Sequence, residues 1–118
     1  MPSSKSQANK HHYEVVAARP PSADPRDTID FLDEHWTALT AEPGGVDYLE
    51  VDVPGTRALW VVPHGVDDGR VILYAHGGGF ISGSMYTHRK MVGHLAKAAE
   101  SPASMIRSAV TPCAASQR

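Results

Sequence analysis

The chain has 118 residues, 42% hydrophobic and 20% charged, with a formal net charge of −2. That length allows one small domain, and the balance suits a soluble globular protein rather than a disordered one. The charge makes no electrostatic case for nucleic acid or an acidic membrane, and no apolar run approaches the length of a membrane span.

Residues 1–23 are polar, contain Pro20-Pro21 and lack the apolar core of a signal peptide. They read as a frayed tail or lid-like extension with little fixed structure. Asp24-Pro25-Arg26-Asp27 then opens a helix: Asp24 suits the N-cap, Pro25 the first helical position, and Asp27 adds negative charge to the first turn. Ile29, Leu32, Trp36 and Leu39 recur at helical spacing, and the helix is expected to stop near Thr40, before Pro43-Gly44-Gly45.

Val46 to Val53 reads as a half-buried strand, with Leu49, Val51 and Val53 on one face and Glu50 and Asp52 on the other. Pro54-Gly55 is a turn, and Arg57 to Val62 is the return strand of a hairpin. Pro63-His64-Gly65 and Asp67-Asp68-Gly69 punctuate a loop. Val71 to Ala75 is apolar on both faces, as a central strand is. A helix from about Tyr86 to Ala99 places Met91, Val92, Leu95, Ala96 and Ala99 on one face. Ser101 to Arg118 is rich in Ser, Ala and Pro without periodicity, and Ser104–Val110 is at best a poor strand. The single cysteine, Cys113, excludes an internal disulfide framework and fits a reducing compartment, so a cytoplasmic protein is expected.

The chemistry concentrates in Tyr74-Ala75-His76-Gly77-Gly78-Gly79-Phe80, at the exit of the third strand. Three consecutive glycines remove every Cβ from that turn, so backbone N–H groups can approach a ligand oxygen closely. Ester hydrolysis needs such a device, because its tetrahedral intermediate develops negative charge on oxygen. The run lacks the Lys-Ser/Thr of a P-loop and the spacing of a dinucleotide site. His64, His76, His88 and His94 show no metal-binding spacing, and no cofactor is expected. Ser82 and Ser84 are better read as capping or loop residues than as nucleophiles, since neither sits in Gly-x-Ser-x-Gly. Trp36 and Trp60 read as core or cap packing, with a smaller chance that Trp36 lines an acyl pocket.

The His76–Gly79 run, with Ile81-Ser82-Gly83-Ser84 and Thr87-His88-Arg89 after it, resembles the HGGG motif of hormone-sensitive-lipase-like esterases, a branch of the α/β-hydrolase fold. The resemblance covers about Asp24 to Ala99. It implies an α/β fold, the N-terminal part of a hydrolase sheet with a cap-type helix, truncated before the nucleophile. The division it implies is a tail at 1–23, a partial hydrolase domain at 24–99 and an irregular tail at 100–118. It implies a small-molecule ester as the intact relative's substrate and leaves oligomeric state open. Gly78 and Gly79 would donate to the oxyanion, Gly77 would supply turn geometry, and His76 would order the loop. The nucleophile, acid and base would lie elsewhere, so the chain alone is expected to be inactive. The alternative is a non-catalytic interaction module that docks through unpaired strand edges.

Departure from the family pattern is placed at Glu100, where a glycine or small residue is usual. A shifted reading frame or a natural truncation accounts for it, and the patternless tail favours the first. The family's sheet puts its fourth strand between the second and the third. Here Ser104–Val110 either fills that gap imperfectly or leaves the third strand with two open edges, an aggregation hazard.

Overall fold

The computed structural model describes residues 1–106 apart from Leu39, Asp67, Asp68, Phe80 and Ile81. Expectations placed on those residues, on Cys113, Arg118 and on Val110 as a strand end lie outside the described residues.

Little fixed structure is expected across residues 1–23, yet Ser4–Ala17 forms a helix, α1. Ser3 caps it by accepting the Ser6 N–H at 3.2 Å, and Lys10 and Glu14 pair across one turn at 3.6 Å. None of its residues is buried, so no apolar stripe marks it in the sequence. The second helix, α2 (Pro25–Ala38), starts where the sequence places it, with the Asp24 carboxylate accepting the Arg26 N–H at 2.9 Å. The two helices touch side by side: the His12 and His35 rings lie 5.4 Å apart, and the Arg19 guanidinium sits 3.9 Å above Phe31.

Four strands follow: β1 (Val46–Val53), β2 (Thr56–Pro63), β3 (Ile72–Tyr74) and, after helix α3 (Met85–Ala98), β4 (Ala103–Ile106). Their order is β1-β2-β4-β3. β1 and β2 form the expected antiparallel hairpin, β2 pairs antiparallel with β4, and β4 runs parallel to β3. The gap between β2 and β3 is therefore filled. Of the two alternatives for the segment after Glu100, the described residues show the filled gap, with the strand starting at Ala103 and with Ser101, Pro102, Ala103 and Met105 buried. Among the described strands β3 pairs only with β4.

Register assigns the two faces. Tyr48, Val61, Ala103 and Ile72 form one row across all four strands, and Glu50, Leu59, Met105 and Tyr74 form the row two residues away. These rows lie under α3, whose Met85, Val92 and Ala96 join Leu59, Val61, Ala103 and Met105 in one buried cluster. A fully buried valine, leucine or methionine side chain contributes about 1.5–3 kcal/mol, and an alanine methyl about 0.8 kcal/mol. Gly93 lets α3 approach β1: a Cβ there would lie 2.6 Å from Tyr48 Oη and 2.7 Å from Pro43 Cγ. The polar side of α3 holds the segment between α2 and β1. Arg89 grips the Glu42 carboxylate with two hydrogen bonds, and Lys97 donates to Gly44 O at 2.7 Å. α2 packs on α3, and the molecule measures 50 × 48 × 17 Å. Among the described residues no helix is long and apolar enough to cross a membrane.

α3 ends in a Schellman motif. The Glu100 N–H bonds Lys97 O and the Ser101 N–H bonds Ala96 O, both at 3.1 Å, while Glu100 takes a φ of 49°. Ser101 Oγ then donates to Arg70 O at 2.9 Å, fixing the entry of β4 beside that of β3.

Candidate functional site

The glycine run leaves the C-terminal end of β3, where open α/β sheets place their ligands. The loop folds back on itself. Ser82 donates its N–H to Gly78 O at 3.0 Å and its hydroxyl to the same oxygen at 3.3 Å. His76 Nδ1 donates to Gly77 O at 2.8 Å. Gly78 (φ 135°) and Gly83 (φ 84°) have no room for a side chain: a Cβ would lie 1.8 Å from Ser82 O at the first and 2.6 Å from Gly77 O at the second. The carbonyls of Gly77 and Gly78 are thus turned into the loop. Among the described residues, nothing accepts from the N–H groups of Gly78 and Gly79.

Ser84 caps α3 through a capping box: its Oγ accepts the Thr87 and Tyr86 N–H groups at 3.2 Å, and its own N–H donates to Thr87 Oγ1 at 2.8 Å. Ser82 is a loop hydrogen-bonder. No base stands against either hydroxyl among the described residues.

His88 follows the cap and brings four rings together. Its ring centroid lies 5.5 Å from that of His76, 6.2 Å from Tyr74 and 6.4 Å from Trp36. Burial pushes its pKa below the usual imidazole value, the nearby His76 pushes the same way, and the Ser84 carbonyl and Asp33 carboxylate oppose them. His88 is therefore neutral at pH 7. With Trp36, Thr40, Tyr74, Gly77, Thr87 and Met91 it lines a cleft of about 380 Å³ beside the glycine loop. Trp36 thus lines this cleft, while Trp60 lies half-buried on the opposite sheet face, outside the core cluster. His64 pairs with Asp47 at 3.2 Å and His94 Nε2 lies 3.0 Å from Ala41 O, so neither joins His76 and His88. Among the described residues no three His, Cys, Asp or Glu side chains could share a metal ion.

One site residue is not visible in the sequence pattern. Asp33 Oδ1 accepts the Gly83 N–H at 2.9 Å and ties α2 to the base of the glycine loop across fifty positions of chain. Lys90 Nζ adds a 3.3 Å bond to Thr37 O at the same helix contact. Asp33 stands on the half-buried side of α2 beside Leu32, which is the one local sign of its role.

Solved structures with this architecture include an esterase from the bacterial hormone-sensitive lipase (HSL) family, at TM-score 0.79 and 27% identity over 90% of this chain. The chain has the α/β-hydrolase fold of hormone-sensitive-lipase-type esterases. EstE5, solved with PMSF, is 30% identical over 86% of the chain at TM-score 0.65. A hormone-sensitive lipase from a metagenome library shares the fold at 20% identity and TM-score 0.76, over 93% of the chain. The chain spans only 35%, 34% and 36% of the length of these three proteins. No family model matches the sequence, and no curated protein does. The likeness to HSL-type esterases is therefore carried by the three-dimensional arrangement.

Proposed function

We propose that the chain supplies the oxyanion-stabilising loop of a serine carboxylic-ester hydrolase. Gly78 and Gly79 present their N–H groups to the developing oxyanion, Gly77 sets the turn, and His76 braces it through Gly77 O. The reading is supported above all by the conformation of the run: its carbonyls are tied inward at the C-terminal end of β3, beside a ring-lined cleft, in an esterase-type fold. In such enzymes a serine attacks the ester carbonyl while a histidine takes and then returns the proton. The 118 residues contain no Gly-x-Ser-x-Gly, so this portion alone carries out no turnover. The cleft holds part of a small ester substrate, and Trp36 and Met91 offer it apolar surface. A cytoplasmic setting belongs to the same reading, supported by the lone Cys113.

A chimera tests this. Residues 72–92 replace the corresponding segment of the bacterial HSL-family esterase, and p-nitrophenyl butyrate hydrolysis is measured. The chimera is expected to turn over, and Gly78→Ala within it to lower kcat on the order of 10²-fold, since the added Cβ displaces the donor amides. Equal kcat in the chimera with and without Gly78→Ala removes the reading, as does saturable hydrolysis by the 118-residue chain alone.

A further inference from the structure

The cleft beside the glycine loop takes its rings from three separate elements: Trp36 from α2, Tyr74 from β3 and His88 from α3. The Trp36 and His88 rings lie within 23° of parallel, and Tyr74 is tilted 39° to His88. Trp36 is 44% exposed and Met91 41%, so the cleft keeps aromatic and thioether surface in contact with solvent. An aromatic face carries negative partial charge. Among the described residues no charged side chain lines the cleft. The two basic residues that follow His88 on α3 are engaged elsewhere, Arg89 by the Glu42 carboxylate and Lys90 by Thr37 O. The Asp33 carboxylate acts on the His88 ring from α2 and adds negative potential. Hydrogen-bonding groups near the rings are already committed. Thr87 Oγ1 accepts the Ser84 N–H and donates to Ser84 O, and Asp33 Oδ1 accepts the Gly83 N–H.

We propose that this cleft is an aromatic box for a quaternary ammonium group, and that the ester presented to the glycine loop carries that group. A trimethylammonium head fits on three counts. It is attracted to the Trp36 and Tyr74 faces, and the methyl groups that carry its charge pack against Met91. It has no N–H donors, so it asks nothing of acceptors that the loop and the helix cap have already used. It meets no cation in the lining, and the Asp33 carboxylate favours it. A primary ammonium would give up its hydration without gaining acceptors in return. A neutral alkyl group of the same shape would find apolar contact but gain nothing from the ring electrostatics, and a carboxylate would face both the rings and Asp33. The ester to which the ammonium group is attached rests on the proposed function of the glycine loop; the box itself rests on the cleft.

The test titrates the full 118-residue chain with choline chloride at constant ionic strength and, in parallel, with 3,3-dimethylbutan-1-ol, its neutral carbon isostere. Heteronuclear NMR follows the Trp36 indole N–H and the His88 ring signals. Saturable choline binding is expected, tighter than that of the isostere by about fivefold or more. Trp36→Leu should weaken choline by about the same factor, and Trp36→Phe, which keeps a smaller aromatic face, by less. Met91→Lys sets a cation in the cleft at a position exposed enough to leave the circular dichroism unchanged. It should abolish choline binding while weakening the isostere by no more than about twofold, since the added charge repels only the cation. Equal affinity for choline and its isostere overturns the proposal. So does choline binding that survives Met91→Lys, or a titration that leaves the Trp36 and His88 signals unmoved. Choline binding, together with equal kcat of the glycine-loop chimera with and without Gly78→Ala, upholds the box and overturns the oxyanion reading. A Gly78-dependent kcat without choline binding does the reverse.

Discussion

The Asp33–Gly83 hydrogen bond is the contact through which a distant helix holds the glycine loop. A hydrogen bond to a charged group contributes about 1.5–3 kcal/mol, and here the lower end applies because the site is only half-buried. Asp33→Ala loses that bond but gains about 0.5 kcal/mol of helix propensity inside α2. The net expectation is a loss of about 1 kcal/mol. The more telling readout is local: amide hydrogen exchange should accelerate at Gly83 and at Ser82, whose N–H bonds Gly78 O, and stay unchanged in β2 and β4. Uniform acceleration across the sheet would mean that Asp33 acts on global stability and does not hold the loop. His76 and the glycines themselves could be picked out from residue types alone, because a run without Cβ atoms after an apolar strand has few other uses. Asp33 could not, since no local pattern relates positions 33 and 83.

At the scale of elements, α3 carries two substitutions whose signs are opposite and fixed by geometry. Glu100 occupies the left-handed position that closes the helix, at a φ of 49°. A residue with a Cβ costs about 1 kcal/mol there, so Glu100→Gly should raise stability by about that amount in a denaturant titration. Gly93→Ala brings the ~1 kcal/mol helix-propensity gain of an alanine, yet its Cβ would meet the Pro43 ring at 2.7 Å and the Tyr48 hydroxyl at 2.6 Å. The proline ring cannot swing away as a flexible side chain can. Gly93→Ala is therefore expected to lower the thermal midpoint, and an increase would show that the segment from α2 to β1 yields easily. Elements with strong periodicity or turn residues were legible in the sequence: α2, the β1–β2 hairpin and α3 begin and end within a residue or two of their expected limits. α1 was not, because its stability comes from a serine cap and an exposed ion pair and not from an apolar stripe. β4 was read only as a poor strand because its alternating Ala103 and Met105 are shared with small polar Ser104, a weak strand pattern that burial between β2 and β3 overrides.

The whole molecule couples its stability to protons through His88. Its folded pKa lies below the ordinary imidazole value of about 6.5, chiefly because burial among Trp36, Tyr74 and His76 disfavours the charged ring. The unfolded chain then binds a proton that the folded chain refuses as pH falls through about 6.5, and the folded state loses stability on the acid side of that value. The loss grows until the pH reaches the depressed folded pKa and is constant below it. Glu42, held below its usual carboxylate range by its hydrogen bonds to Arg89, acts in the same direction in a lower window, under about pH 4.5. Thermal midpoints recorded from pH 7.5 to 5 should therefore decline, and the decline between 6.5 and 5 should flatten in His88→Asn, which keeps a polar atom near Thr87 Oγ1 but cannot take the charge. An unchanged slope in His88→Asn would locate the proton uptake in another group and leave the cleft beside the glycine loop insensitive to pH.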